Sequence, residues 1–327
     1  MKDIITTQGL TKYYDSLVAV DHISMSVKEG EIFGFLGPNG AGKTTTINML
    51  TGVAKPTSGT AMISGFDVAR EPTKAKEQVG VVPQVSFLYD EMTAWDNITF
   101  SAKLHSVPKK KRTGLARKYL QLFELYERRD DPVETFSGGM KKRLMIATAL
   151  VHEPKILFLD EPTTGLDVQS SRQIRNLIKK LNRKGITVFL TTHYIEEADQ
   201  LCQRVAIIDG GQIVTVSTPE ELKSRVQGQQ IIEVSFNPQE DLAGKLEGLK
   251  GVGKVVRAGD KFRLYVEETS NTLPVLFHFA EKNRLKVTSI NTLKPTLEDA
   301  FVQLTGLPPE VMTSEKDPRK PVGGRRG

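Results

Sequence analysis

Short apolar runs alternate with longer amphipathic stretches from Ile4 to about Val226. The runs EIFGFLG, KILFLD and ITVFLTT have the length and composition of buried strands, whereas KTTTINMLTG and YIEEADQLCQRV have helical spacing. RVAIIDGGQIVTV carries a Gly-Gly turn between two β-rich halves, which predicts a hairpin. Strands that alternate with helices predict an α/β fold with a mostly parallel sheet covered on both faces.

Helical spacing replaces the strand-sized runs between Trp95 and about Asp131. We predict a separate helical subdomain there, with breaks at Pro108 and Gly114. Residues 109–112 of this region form the basic run KKKR. Such a run fits the solvated start of a helix, and it also fits a face turned toward lipid headgroups or a partner.

The pattern changes again after Gly228. The order is strand, helix, two strands joined at Gly259, helix and strand, with the final helix TLEDAFVQLTG. This βαββαβ order predicts a small α+β ferredoxin-like domain over residues 228–306. His278 falls in an apolar helical pattern, so we expect it to be packed rather than catalytic. Residues 307–327 are rich in Pro, Gly and charge, which predicts a disordered basic tail.

Composition adds few constraints. The 327 residues are 39% apolar and 26% charged, and the net charge of +6 suits a nucleic acid or an anionic membrane without choosing between them. The single cysteine, Cys202, allows no disulfide within the chain, and we expect it to pack beside a helix. No apolar run is long enough to span a membrane, and the first ten residues do not resemble a secretory signal.

A phosphate-binding loop is the strongest motif. Residues 37–44, GPNGAGKT, match G-x-x-x-x-G-K-[ST] between a predicted strand and a predicted helix. The glycines let backbone amides wrap phosphate oxygens, and the helix N-terminus adds a favourable field. We expect Lys43 to reach the β and γ phosphates and Thr44 to bind Mg²⁺. The predicted nucleotide-binding residues of this loop are Gly37, Pro38, Asn39, Gly40, Ala41, Gly42, Lys43, Thr44 and Thr45.

Two adjacent carboxylates follow the apolar run ILFL. Ligands bind at the carboxyl edge of such a sheet, so we expect Asp160 to hold Mg²⁺ and Glu161 to polarise an attacking water. A second glycine loop, SGG at residues 137–139, opens another helix with basic residues behind it. Backbone amides at a helix start bind phosphate, so the chain has two candidate phosphate sites.

Taken in order, these motifs resemble the ATP-binding subunit of an ATP-binding cassette (ABC) transporter, over about the first 225 residues. Further matching residues are Tyr14, Gln84, Ser137, Gly138, Gly139, Asp167 and His193. The resemblance implies that Tyr14 stacks on adenine and that Gln84 contacts the metal and the water and couples to a membrane partner. It implies that residues 137–139 meet the γ phosphate held by a second subunit and that Asp167 lies at the dimer interface. Glu161 is then the catalytic base, and His193 contacts the γ phosphate.

The implied fold is an ABC cassette over residues 1–227. It has a RecA-like core, an antiparallel β subdomain and a helical subdomain at about residues 88–150, and the ferredoxin-like domain follows. Phe136 and Met140 replace the usual Leu and Gln around Ser-Gly-Gly. The sequence after Met140 and the final TLEDAFVQLTG resemble the branch of the daunorubicin-resistance and sodium-exporter ATPases, of the ABC-2 class.

The implied function is that of an ATP-hydrolysing motor subunit of an exporter, which binds ATP and Mg²⁺. It would work as a homodimer at the cytoplasmic face of the membrane, on a separate integral membrane permease, with no nucleic acid as partner. One alternative is a soluble ABC ATPase acting on ribosomes or nucleic acid. Such proteins usually carry two cassettes or a coiled-coil insertion, and neither is visible here. Another alternative, a P-loop kinase, leaves residues 137–139 and His193 without a role.

Overall fold

A computed structural model describes residues 2–225, 230–238, 242–293, 296–307 and 309–312. The chain divides into two compact units, of which one holds residues 1–218 and the other residues 219–311. The boundary predicted between residues 227 and 228 lies outside the described residues. Most of the predicted tail also lies outside the described residues. Within the tail, Pro309–Met312 form a short 3₁₀ helix.

The first unit contains ten strands and seven α-helices within its described residues. In chain order they are β1 (Asp3–Tyr14), β2 (Leu17–Lys28), β3 (Ile32–Leu36), α1 (Lys43–Leu50), β4 (Ser58–Ile63), β5 (Phe66–Asp67), α2 (Pro72–Glu77), β6 (Val79–Val82), α3 (Ala94–Leu104), α4 (Lys109–Leu122), α5 (Gly138–Ala149), β7 (Ile156–Asp160), α6 (Val168–Arg183), β8 (Thr187–Thr192), α7 (Ile195–Leu201), β9 (Arg204–Asp209) and β10 (Gln212–Ser217).

The main sheet of this unit has six strands in the order β10-β9-β3-β8-β7-β6. Strands β9, β3, β8, β7 and β6 are parallel, and β10 closes one edge as the predicted hairpin partner of β9. The ring of Phe189 lies 5.3–5.7 Å from those of Phe33, Phe35 and Phe158, between centroids, so aromatic packing fills the centre. The mostly parallel sheet predicted from the sequence is confirmed, and its carboxyl edge collects the segments that follow β3, β6, β7 and β8.

Two smaller parts complete this unit. Strands β2, β1, β4 and β5 form a separate antiparallel sheet, as predicted. Helices α3, α4 and α5 pack on one another as the helical subdomain. Pro108 precedes α4 as predicted, but the predicted break at Gly114 is wrong, because α4 continues through it. A glycine in an exposed helix costs only about 1 kcal/mol, and the burial of Ala116 and Leu120 holds the helix in place.

Helix α7 is shorter than its sequence pattern. The predicted helix YIEEADQLCQRV ends at Leu201, and Arg204 already begins β9. Cys202 between them is buried, as expected. A Cβ atom on Gly34 of β3 would lie 2.6 Å from the Cys202 Sγ, so this cysteine packs directly on the central strand.

The second unit contains α8 (Pro219–Arg225), β11 (Gln230–Asn237), α9 (Ala243–Glu247), β12 (Val252–Ala258), β13 (Lys261–Val266), α10 (Thr269–Lys282), β14 (Lys286–Leu293) and α11 (Leu297–Thr305). Its antiparallel sheet has the order β12-β13-β11-β14, which is the ferredoxin-like arrangement predicted from the sequence.

The two faces of this sheet differ in chemistry. Val234 and Leu264 point into an apolar core with the residues of α9 and α10. On the other face, Arg263 binds Glu233 and lies near Asp299 of α11. His278 is exposed, so the expectation that it is packed is wrong. Helix α10 instead buries residues 276, 279 and 280, and position 278 falls outside that stripe.

No helix in the described part of the chain has both the length and the apolar character needed to cross a membrane.

Candidate functional site

The phosphate-binding loop connects β3 to α1 at the carboxyl edge of the main sheet. Gly40 and Gly42 have φ values of 79° and 101°, a left-handed conformation that favours glycine. A Cβ atom on Gly37 would lie 2.3 Å from the backbone oxygen of Ile208. Gly40 and Gly42 are therefore required by the turn, and Gly37 is required by the close approach of β9.

Lys43 lies buried inside this loop. Its Nζ donates to the backbone oxygens of Gly37 at 2.8 Å and Pro38 at 3.1 Å, and it is 3.3 Å from Oε1 of Glu161. Burial lowers the pKa of Lys43, and the negative charge of Glu161 opposes that effect. The ammonium group is thus held inside the loop by two hydrogen bonds to backbone oxygens and one ion pair.

Asp160 ends β7 and receives two hydroxyl groups. Thr44 Oγ1 donates to one carboxylate oxygen at 2.9 Å, and Thr191 Oγ1 donates to the other at 2.5 Å. A carboxylate beside a hydroxyl offers the hard oxygen ligands that Mg²⁺ prefers. The described residues contain no cluster of three or more acidic, His or Cys side chains that would hold a metal alone. This arrangement fits Mg²⁺ bound through one carboxylate, one hydroxyl and substrate phosphates.

Glu161 is the most constrained residue of the site. It is buried, and its φ of 48° is a left-handed conformation that is uncommon for a residue with a side chain. Its Oε2 accepts from Gln84 Nε2 at 3.3 Å and from Thr164 Oγ1 at 3.1 Å. Backbone strain of this kind persists where surrounding contacts fix it, and it clusters at functional sites.

His193, the residue after β8, approaches the same carboxylate. Its Nδ1 lies 3.1 Å from Oε1 of Glu161. Burial alone would raise the pKa of Glu161, but the adjacent His193 and Lys43 outweigh it and lower the pKa to about 2. Glu161 is therefore ionised at neutral pH.

A cleft of about 370 Å³ opens above these groups. Its walls include the phosphate-binding loop, Gln84, Glu161 and the half-exposed ring of Tyr14. Lys12 Nζ lies 4.9 Å from the centre of that ring. Leu17 and Val18 also line the cleft and are exposed. The sequence analysis did not select Leu17 or Val18. Both are apolar, and both closely follow Tyr14, which was predicted to stack on adenine.

The remaining predicted residues form a second cluster that does not line this cleft. Ser137 caps α5 by accepting from the Met140 amide at 3.3 Å, and Asp167 caps α6 by accepting from the Ser170 amide at 2.8 Å. A Cβ atom on Gly139 would lie only 2.6 Å from Ser170 Oγ, so the two helix starts touch. The structure thus separates residues 137–139 and Asp167 from the phosphate-binding loop of the same chain.

Two threonines that the sequence analysis did not select complete the site. Thr191 binds Asp160 through its hydroxyl and also accepts from the Glu161 amide at 3.1 Å, whereas Thr164 binds the Glu161 carboxylate. Both stand within three residues of a selected residue, in the segments TTH and EPTTG. A buried carboxylate needs such donors, so a search for hydroxyls around Asp160 and Glu161 would have found them.

Comparison with known proteins agrees with this site. Residues 20–164 match the ABC transporter family model, and residues 218–305 match the model of the DrrA1-3-like ATP-binding protein C-terminal domain. The linearmycin resistance ATP-binding protein of Bacillus subtilis is 37% identical over 93% of this chain and 98% of its own. The daunorubicin/doxorubicin resistance ATP-binding protein of Streptomyces peucetius is 35% identical over 95% of each chain.

Solved structures show the same fold. The cbiO1 subunit of the ABC transporter complex cbiONQ from Clostridium perfringens has a TM-score of 0.63 and 29% identity, over 69% of this chain and 94% of that one. A dimeric cassette bound to ADP and phosphate after hydrolysis has a TM-score of 0.60 and 28% identity, over 65% of this chain and 98% of that one.

The chain therefore belongs to the family of ABC transporter ATP-binding proteins, whose members hydrolyse ATP with Mg²⁺, dimerise and work with a separate membrane permease. Within that family, its second domain and its full-length relatives are those of the ABC-2 type ATPases related to DrrA. The predicted fold and enzyme class are confirmed, and nothing supports the ribosome-binding alternative.

Proposed function

We propose that two copies of this chain close head to tail around two ATP molecules and drive an export permease at the cytoplasmic face of a membrane. The observation that carries this proposal is the separation of the site residues into two clusters within one chain. Lys43, Thr44 and Glu161 line one cleft, and Asp160 accepts a hydrogen bond from Thr44. Ser137 and Asp167 stand at helix starts outside that cleft. The second cluster is suited to complete the cleft of another subunit.

In the proposed site, Lys43 and the amides of residues 37–45 hold the phosphates, and Tyr14 stacks on the adenine. Asp160 and Thr44, with Gln84, would hold Mg²⁺, which supplies charge neutralisation at the phosphates. Cleft residues Leu17 and Val18 supply apolar contacts beside Tyr14. These roles are supported by the cleft lining, which includes Tyr14, Lys43, Thr44 and Gln84, and by the hydrogen bond from Thr44 to Asp160.

Glu161 would act as the base that orients and deprotonates the attacking water. With His193 3.1 Å and Lys43 3.3 Å away, its pKa of about 2 makes it a weak base. When Lys43 turns to a phosphate, the carboxylate loses one of the neighbours that lower its pKa, so its pKa rises. His193, beside Glu161, is placed to contact the γ phosphate and to hold the carboxylate in position.

The relatives suggest the kind of cargo. Two are named for resistance to linearmycin and to daunorubicin or doxorubicin, and others are named for Nod factor export. For this chain we infer the outward transport of an organic compound through a separate permease. Purification of the tagged chain from membranes should then recover an integral membrane protein. Recovery of ribosomes or nucleic acid instead would contradict the proposal.

Ser137→Arg tests the dimeric arrangement. Arginine at this exposed helix start should block ATP-driven dimerisation, measured by sedimentation in a Glu161→Gln background that slows hydrolysis. ATP binding to the monomer, measured by calorimetry, should stay unchanged, because Ser137 does not line the cleft of its own chain. The matched control is Ser86→Arg, at another exposed loop serine. Loss of monomer ATP binding in Ser137→Arg would show that the second cluster is misassigned.

A further inference from the structure

The turn between α3 and α4 carries a positively charged surface that the site described above does not use. Residues 97–123 contain seven Lys and Arg residues and no Asp or Glu. Helix α3 ends at Leu104 and α4 begins at Lys109, so only a short turn separates the two helices. The exposed residues on both sides of this turn form one surface, which we call the basic corner: Lys103, Leu104, Lys109, Lys110 and Lys111.

The cations of this segment differ in what they contact. Arg112 Nε donates to a backbone oxygen at 2.7 Å, and Lys118 pairs with Glu153 at 2.7 Å. By contrast, Lys103 and the lysines at 109–111 are exposed, and within the described part of the chain their ammonium groups have no hydrogen bond or ion pair. Packing of the helical subdomain thus accounts for Arg112 and Lys118, but not for these four lysines.

The position of the three consecutive lysines is unfavourable for α4 itself. They occupy its first turn, and no acidic residue accompanies them there. The start of a helix carries partial positive charge, so cations destabilise a helix at its start and stabilise it near its end. Helix α6 shows the favourable arrangement, with Lys180 and Arg183 in its last turn. Helix stability therefore explains the basic residues at the end of α6 but not those at the start of α4.

We propose that the basic corner binds the headgroups of anionic lipids, so that the helical subdomain contacts the membrane surface directly. A cytoplasmic leaflet carries net negative charge, which attracts lysines that come within about 10 Å of it. Leu104 is 65% exposed beside Lys103, and an apolar side chain is stabilised by entering the headgroup region. The inference goes beyond the proposed function, because lipid binding needs neither ATP nor the permease. It relies on that function only for the presence of a membrane.

Other anionic partners fit the basic corner less well. Single-stranded nucleic acid is held by aromatic side chains that stack on its bases, and residues 103–112 contain no Phe, Tyr or Trp. Acidic protein surfaces are bound mainly through Arg, whose planar group matches a carboxylate, and Lys is depleted at protein interfaces. Lysine acts as a point charge that binds a phosphate without fixed geometry. An exposed leucine beside four lysines therefore favours a lipid surface.

Cosedimentation of the full-length chain with vesicles, without nucleotide, tests this inference. The chain should bind vesicles of equal parts phosphatidylglycerol and phosphatidylcholine, and should not bind vesicles of phosphatidylcholine alone. Each lysine at an anionic surface strengthens binding about fivefold, so Lys109→Gln, Lys110→Gln and Lys111→Gln together should weaken it about a hundredfold. Leu104→Gln should weaken it by about fivefold through loss of apolar contact. Raising the salt from about 0.1 M to about 0.5 M should release the wild-type chain.

The matched control removes the same charge from the end of α6. Lys180→Gln, Arg183→Gln and Lys184→Gln alter exposed residues, and together they should change vesicle binding by less than about threefold. Equal losses in the two triple variants would show attraction by net charge alone and would overturn the inference. It would also be overturned if the wild-type chain did not bind the anionic vesicles, or if the variant at 109–111 bound them as tightly as the wild type.

Three further measurements complete the test. If the variant at 109–111 lost binding to a labelled oligonucleotide but kept binding to vesicles, nucleic acid would be the partner and the inference would be wrong. Calorimetric ATP titration of this variant should match the wild type, because none of the three lysines lines the nucleotide cleft. ATP-driven dimerisation is measured separately. Its absence would contradict the proposed function, whereas a chain that dimerises but does not bind anionic vesicles would contradict this inference alone.

Discussion

The Glu161 carboxylate should stabilise the folded chain substantially, which Glu161→Gln will test. Its neighbours lower its pKa from 4.5 to about 2. Each pKa unit corresponds to about 1.4 kcal/mol, so ionised Glu161 contributes about 3 kcal/mol at pH 7. Glutamine keeps the shape and the contacts with Gln84 and Thr164 but removes the charge beside Lys43. We therefore expect the variant to unfold more readily by about that amount.

The sign of the pH dependence follows from the lowered pKa. A carboxyl whose pKa is depressed in the folded state stabilises it above the unfolded pKa, here about 4.5. That contribution is lost as the pH falls toward 2. Urea unfolding of the wild-type chain and of Glu161→Gln is followed by fluorescence and circular dichroism. At pH 7 it should show the full difference in the free energy of unfolding between the two proteins. The difference should fall to about 2 kcal/mol at pH 3.5.

Glu153 provides a matched control. It too has a left-handed backbone, with φ of 56°, and it pairs with Lys118 at 2.7 Å, but it is exposed. Solvent screens such a pair, so Glu153→Gln should change the free energy of unfolding by less than about 1 kcal/mol. Equal effects of the two substitutions at pH 7 would refute the claim that burial gives the Glu161 contacts their strength. If the difference in the free energy of unfolding between the wild-type chain and Glu161→Gln increased toward low pH, the predicted direction of the pH dependence would be refuted.

Two further predictions concern the cleft. Lys43→Ala should weaken ATP binding by at least about tenfold, because a phosphate loses a charged hydrogen-bond donor. A calorimetric titration that finds wild-type affinity would contradict the assignment of residues 37–44 as the phosphate-binding loop. Tyr14→Ala should weaken ATP binding by roughly tenfold through loss of base stacking. Tyr13→Ala, an exposed neighbour absent from the cleft walls, is its control, and equal affinities for the two variants would contradict stacking by Tyr14.

Most of the fold followed from local patterns. Parallel strands buried on both faces appear as continuous apolar runs, so β3, β7 and β8 were recognisable, and the Gly-Gly turn marked the β9–β10 hairpin. The errors concerned positions where local and tertiary preferences differ. Gly114 favours a break, yet packing of the neighbouring residues keeps α4 continuous. His278 sits in an apolar stretch, yet the stripe that α10 buries passes beside it.

The sequence by itself determined the chemistry. The spacing of Gly37, Lys43 and Thr44 specifies a phosphate loop, and an Asp-Glu pair after an apolar run specifies carboxylates at a sheet edge, because both depend on residues close in the chain. Only the tertiary structure decided which groups share a cleft and which face away from it. It also placed Lys142 and Glu197 in the interior, since burial depends on distant segments that no local pattern encodes.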